Sequence, residues 1–219
     1  MLNASNLLRC VKKDVEILVN SLYPDTINKM ANAVPRGEFQ KVFRSGEYSP
    51  TYGEITFQGG QALLQHALRF SSRDERLTLY DLGSGVGKFC MQASITHANK
   101  LKKVIGVEIS PSRHGMAINA LSNLSKSSIP RSDIEFRCDD LMKTDVSDFP
   151  NIIFCASLTF STDVIHAISD RLSSILSPGS LIYTFRAFPL NERLVDLGSV
   201  AVRTTWSDSS TLLAYKIQN

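Results

Sequence analysis

Cysteine is scarce in these 219 residues, and the four present, Cys10, Cys90, Cys138 and Cys155, lie far apart with no C-x-x-C pair. Three of them sit in apolar segments that read as core, so there is no disulfide framework, and reduced thiols in an intracellular protein are expected. The four histidines, His66, His97, His114 and His166, form no pair at ligand spacing, and no metal site is expected. Lysine and arginine make no run that would form a phosphate-binding stripe, and the formal net charge is only +3, so nucleic acid is not the default partner. A long hydrophobic run is missing too. The opening "MLNASNLLRCVKKDVEILVNSL" interrupts its apolar residues with Arg9, Lys12, Lys13, Asp14 and Glu16, which suits neither a signal-peptide core nor a membrane span. No membrane partner and a place in the cytoplasm or nucleus follow as expectations. Ser84 lies between glycines but not in a G-x-S-x-G elbow, and no Asp/His partners follow in order, which excludes a hydrolase of that type. There is no internal repeat and no low-complexity tract.

What is present is 43% hydrophobic residues, enough for one buried core. Apolar residues from Leu7 to Leu22 recur at three- and four-residue intervals and predict an amphipathic helix, with a second over residues 26–33. The segment "VPRGEFQKVFRSGEYSPTYGE", with two prolines and three glycines, reads as a loop ordered by its own side chains or by a ligand. Helix and strand then alternate: a helix over 58–70, strand 77–81, the loop "GSGVG", helix 87–98 and strand 103–108. The helix "SPSRHGMAINALSNLS" starts with Ser110 as N-cap and Pro111 at its first position. Strand "DIEFRCDD", strand "NIIFCASLTF", a helix from Ser161 closed by Pro178 and Gly179, and strand "SLIYTFRAF" continue the series. This alternation predicts a doubly wound parallel sheet. The ending "SVAVRTTWSDSSTLLAYKIQ" predicts a hairpin turning at Ser207 and Asp208.

In an open parallel sheet the ligand lies beyond the carboxyl ends of the strands, and "YDLGSGVGKF" is placed there. Gly83, Gly85 and Gly87 read G-x-G-x-G, with Lys88 where the dinucleotide fingerprint wants its last glycine. Asp81, at the strand end, would repel a pyrophosphate but accept a hydrogen bond from an ammonium group. S-adenosyl-L-methionine has that ammonium and no phosphate. Glu108 ends the next strand, where it can accept from both ribose hydroxyls, a role that NAD enzymes also give to an acid. Asp139 and Asp140 end the third strand, where they could accept the exocyclic amine of adenine. The bland alternative, a glycine turn with acids as helix caps, weakens once three successive strands end in acid.

Together "TYGEITF" at 51–57, "LYDLGSGVGKF" at 79–89, "GVEIS" at 106–110, "CDDL" at 138–141 and "TWSDSSTLLAYKI" near the end resemble the DOT1-type methyltransferases, in order and spacing, over about residues 45–217. These are lysine methyltransferases built on the Rossmann-like, seven-strand class I fold, mostly parallel with a C-terminal antiparallel hairpin, rather than on a SET domain. The glycine loop with its following glutamate is shared by the whole class; the Tyr-Gly-Glu loop is specific to the family. The resemblance implies a catalytic domain over 51–219 preceded by a helical extension over 1–50, and a protein lysine, histone-type included, as the methyl acceptor. It also implies that Tyr52 and Glu54 cover the methionine part of the donor, with Asp81, Gly83 and Gly85 at its amino-acid end, Glu108 on the ribose and Asp139 on the adenine. Adding loop neighbours gives the expected donor set: Tyr52, Glu54, Asp81, Gly83, Gly85, Gly87, Lys88, Glu108, Asp139, Asp140 and Ser157. Tyr52 and Ser157 are the catalytic candidates; Lys88 reads as a solvated lysine at a helix start rather than a catalytic one.

The chain departs from the family at several places. Ala156 and Ser157 stand where DOT1 enzymes carry an Asn-Asn pair, leaving a serine hydroxyl near the methyl group. Asp140 replaces the phenylalanine after the adenine aspartate, Leu212 and Leu213 stand near expected tyrosines, with Tyr215 close by, and no basic tail is present. RNA or a small molecule therefore remains an alternative acceptor, and a donor-binding but catalytically silent module another reading. Methyl transfer needs alignment and exclusion of water rather than a nucleophilic side chain. A lysine acceptor must lose a proton from a pKa of about 10.4, which an apolar channel favours. Tyr48, Tyr52, Phe160, Phe188 and Trp206 are the aromatic candidates for that channel, each a packing residue when taken alone except Tyr52. The N-terminal helices are expected to pack on the core and close the donor site through the loop that ends at Tyr52.

Overall fold

The computed structural model describes residues 4–45, 48–71, 76–146 and 150–219, and for residues 4–12 the backbone alone. The apolar stripe expected of Leu7, Leu8 and Val11, and Cys10, therefore lie outside the described side chains. Helices α1 (Ala4–Ser21) and α2 (Ile27–Asn32) lead into a short helix α3 (Arg36–Glu38) that widens into a π-helical turn, Phe39–Phe43. A loop was expected there. Pro35 presets the backbone at φ −58° before Arg36, and the Glu38 carboxylate accepts from Ser112 N at 3.0 Å, so a tertiary contact holds a helix that local sequence does not announce.

Beyond it follow α4 (Phe57–Ala67), β1 (Leu77–Leu82), α5 (Lys88–Thr96), β2 (Leu101–Glu108), α6 (Pro111–Ser125), β3 (Asp133–Cys138), β4 (Asn151–Cys155), α7 (Thr162–Ile175), β5 (Leu181–Thr184), β6 (Leu194–Thr204) and β7 (Ser207–Ile217). Side-chain caps start three helices: Thr56, Ser110 and Ser161 accept from Gly59 N, Arg113 N and Val164 N. The sheet order is β3-β2-β1-β4-β5-β7-β6. β1 to β5 run parallel, and β7 runs antiparallel to both β5 and β6. This is the expected architecture. The chain moves outward from β1 to β3 and then returns to β4 on β1's other side, so the connections diverge between the ends of β1 and β4 and leave a crevice there.

A single core was expected, but the sheet divides it. Leu77, Leu79, Val104, Ile152 and Phe154 join a cluster covered by α4, α5, α6 and the N-terminal residues Val19, Tyr23, Ile27 and Ala31. Tyr80, Leu82, Ile105, Val107, Ile153 and Cys155 face the other way, onto α7 and Phe43. Alternate strand residues point to opposite faces, and both faces here are roofed by helices. Element ends also differ from expectation. β4 stops at Cys155 and turns into a 3-10 turn, Ser157–Thr159. β6 starts at Leu194 and passes a bulge at Gly198 (φ +82°), whose N–H donates to Asp196 Oδ1 at 2.7 Å. Its hairpin pairs Thr204 with Ser207, which places the turn at Thr205–Trp206 instead of Ser207–Asp208.

Candidate functional site

The crevice is a cavity of about 410 Å³ at the carboxyl ends of β1, β2 and β4, within the range of small-molecule sites. Its floor is the glycine loop, pinned to β2 by Gly83 N and Ser84 N, which both donate to Val107 O at 2.8 and 2.9 Å. Gly85 has φ +56°, and a Cβ there would stand 2.6 Å from the Tyr52 ring, so only glycine lets the tyrosine lie on the loop. Gly85 N donates to Glu108 Oε2 at 2.8 Å, and Ser110 N to Glu108 Oε1 at 2.9 Å. Each carboxylate oxygen thus holds one backbone donor and keeps a further lone pair for a ligand.

Asp81 is 3% exposed, and its carboxylate accepts a hydrogen bond from the Cys90 thiol, 3.5 Å from Oδ2. Burial pushes its carboxyl up to about 7; the Cys90 bond opposes this, and the Glu108 charge adds to it. Burial likewise pushes the Cys155 thiol up to about 12. Ser84 Oγ, also on the cavity wall, is buried without a hydrogen-bond partner among the described residues. A weakly partnered buried carboxylate beside an unpartnered hydroxyl fits a ligand carrying both an ammonium and a carboxylate, as the amino-acid end of S-adenosylmethionine does.

The roof comes from the segment after Tyr48. Tyr52 Oη donates to Glu54 Oε1 at 2.5 Å; Lys88 Nζ reaches Glu54 Oε2 at 2.9 Å and Asn28 Oδ1 at 3.1 Å. Burial, with the neighbouring Glu54 charge, pushes the Tyr52 hydroxyl far up, so it stays a donor. Lys88, in the expected donor set and read as solvated rather than catalytic, lies on the cavity, where its ion pair ties the roof to the floor. Backbone bonds between Thr205 N and Glu54 O and between Thr56 N and Arg203 O fasten the roof to the β6–β7 hairpin. The other end of the cavity is apolar: Phe154, Ala156, Leu158, Phe160 and Trp206, the last 43% exposed at the mouth and edge-on to Phe185 at 5.5 Å.

The structure thus gathers Tyr52, Glu54, Asp81, Gly83, Gly85, Lys88, Glu108 and Asp139 around one cavity. Three expected residues do not reach it. Ser157 is fully buried, its hydroxyl shared with Thr184 Oγ1 at 2.5 Å and accepting from Arg186 N at 3.1 Å, because the chain turns at Cys155 and points this side chain into the protein. Gly87, at φ +84°, lies against the Phe136 ring, where a Cβ would come within 2.5 Å; it packs the start of α5 on β3. Asp140 accepts from Tyr48 Oη at 2.7 Å and Met142 N at 2.8 Å, holding a turn beside the site. Among the aromatic candidates Phe188 is stacked on Tyr215 at 5.7 Å, in the core away from the cavity, whereas Tyr48, Tyr52, Phe160 and Trp206 line it. Sequence reasoning missed Phe43, Arg113 and Leu141, which also line the cavity. The only signal for Arg113 was its place one turn into the helix behind Glu108.

Comparison with known proteins is consistent with this site. The family model of the histone methylation protein DOT1 matches residues 32–212. No curated protein matches the chain. Among solved structures the chain is similar to a putative RNA methyltransferase from Pyrococcus horikoshii, at 12% identity over 94% of this chain and 96% of that one, TM-score 0.54. It is similar also to an rRNA methyltransferase from Streptomyces viridochromogenes, at 14% identity over 84% and 96%, TM-score 0.54. A third is magnesium protoporphyrin IX methyltransferase from Synechocystis PCC 6803 with bound S-adenosylmethionine, at 16% identity over 93% and 97%, TM-score 0.51. At these identities the likeness is one of fold.

Proposed function

We propose, from the premise that the chain belongs to the DOT1 histone methylation protein family, that it methylates the side-chain amine of a protein lysine, with histones among its substrates, in the cytoplasm or nucleus. Its coarser activity is that of a class I S-adenosylmethionine-dependent methyltransferase. S-adenosylmethionine supplies, when bound, an electrophilic methyl group on a sulfonium. In this reading Asp81 and Ser84 hold the amino-acid end, Glu108 the ribose diol and Asp139 the adenine, while Tyr52 and Glu54 exclude water from above.

The observation that carries the lysine reading is the division of the cavity. Its acids and its Glu54–Lys88 pair stand on the roof and floor, whereas the end formed by Ala156, Leu158, Phe160 and Trp206 has no charged side chain among its described residues. Such a wall favours the neutral form of an entering amine through desolvation, and its aromatic faces attract the ammonium that arrives there. Transfer then requires an amine lone pair held in line, with water kept out. Ser157 takes no part, since its hydroxyl is spent on Thr184 and Arg186. The test is incubation with radiolabelled S-adenosylmethionine and a cell extract, followed by acid hydrolysis and separation of the labelled amino acids. Label in methyllysine is the expected result; label confined to RNA or to small molecules would overturn the lysine assignment.

A further inference from the structure

Arg113 stands where helix α2, the π-helical turn and the roof segment meet. It is 5% exposed, on the first turn of α6. Its Nε donates to Ala31 O in the last turn of α2 at 2.9 Å, and Nη2 donates to Pro50 O, two residues before Tyr52. The guanidinium also lies 5.9 Å from the Phe43 ring centroid and 5.1 Å from that of Tyr52. We infer that Arg113 is a positioning residue: its planar fork fixes the Tyr52 roof over the donor cavity. The inference rests on the donor site described above.

That role needs the planar fork, because two carbonyls on different segments are held by different nitrogens of one rigid group while its face lies on an aromatic ring.

Two probes isolate the roof. 5′-Methylthioadenosine has the adenosine but no amino-acid end; S-adenosylhomocysteine adds the part that lies under Tyr52. The ratio of the two affinities is read within each variant, so partial unfolding, which lowers both alike, cancels. Arg113→Met is expected to cut the S-adenosylhomocysteine advantage roughly tenfold, as for the loss of charge-assisted hydrogen bonds. Arg113→Lys, which keeps the charge but not the fork, is expected to leave the advantage lost. If wild type binds neither probe, the donor-site reading itself fails. If wild type binds both and Arg113→Met matches its ratio, or if Arg113→Lys keeps the wild-type ratio, the assignment to Arg113 is wrong.

Discussion

Asp81 should make donor binding release a proton near neutrality. Its carboxyl rises from the ordinary 3.8 to about 7, chiefly through burial, which corresponds to about 4 kcal/mol against ionising it in the empty fold. Because the folded value is raised, this group's contribution to stability is complete below about pH 4 and is lost as pH climbs through 7. An ammonium bound beside it needs the ionised form. Affinity for S-adenosylhomocysteine should therefore rise about tenfold from pH 6 to pH 8 and level off above, with about half a proton released per ligand at pH 7. Titration calorimetry in two buffers of different ionisation enthalpy reads both quantities. Methylthioadenosine, which lacks the ammonium, is the control and should not show the Asp81 limb. Asp81→Asn should unfold at a higher temperature than wild type at pH 8, since it removes a buried charge, while losing about a hundredfold in S-adenosylhomocysteine affinity. Equal affinity at pH 6 and pH 8, or wild-type affinity in Asp81→Asn, would refute the reasoning.

Ser157→Ala should leave methyl transfer unchanged and cost about 1–2 kcal/mol of stability, because its hydroxyl joins Thr184 and Arg186 N rather than the cavity; a large fall in kcat at full stability would return it to the site. Gly87→Ala meets both a positive φ and the Phe136 ring, so the denaturant midpoint should drop by an amount equivalent to about 1–3 kcal/mol with the slope unchanged. Trp206→Ala should raise KM for the acceptor about tenfold or more and leave donor affinity within about twofold, measured by steady-state kinetics and calorimetry on the same preparation. Should donor affinity fall as far as acceptor KM rises, Trp206 serves the roof through Gly53, whose missing Cβ leaves room for that ring.

How far the site could be read in advance depended on whether a residue's role is local. Asp81, the glycines after it, Glu108 and Asp139 all sit at strand ends, and a doubly wound sheet brings strand ends together whatever its loops do. Tyr52 and Glu54 needed the family resemblance, since nothing in their own segment shows that it folds back over Gly85. Ser157 was misplaced because β4 ends two residues before it: one residue of backbone turn reverses a side chain's face, and no periodicity marks where a strand stops. Lys88 was read as solvated rather than catalytic and Arg113 drew no reading, because only contacts with Glu54 and Asn28, or with Ala31 and Pro50, show what each holds.

The order of strands and helices, the doubly wound sheet and the acids at its carboxyl edge were set by hydrophobic period, turn residues and strand-end chemistry, all of which act over a few neighbours. Tertiary structure decided which side chains face the cavity, how the core splits across the sheet, and that the π-helical turn brings Phe43 to the cavity wall. Those outcomes depend on segments up to some 150 residues apart, such as Glu54 and Thr205. Contacts of that range are chosen by packing complementarity over the whole fold, which no local pattern encodes.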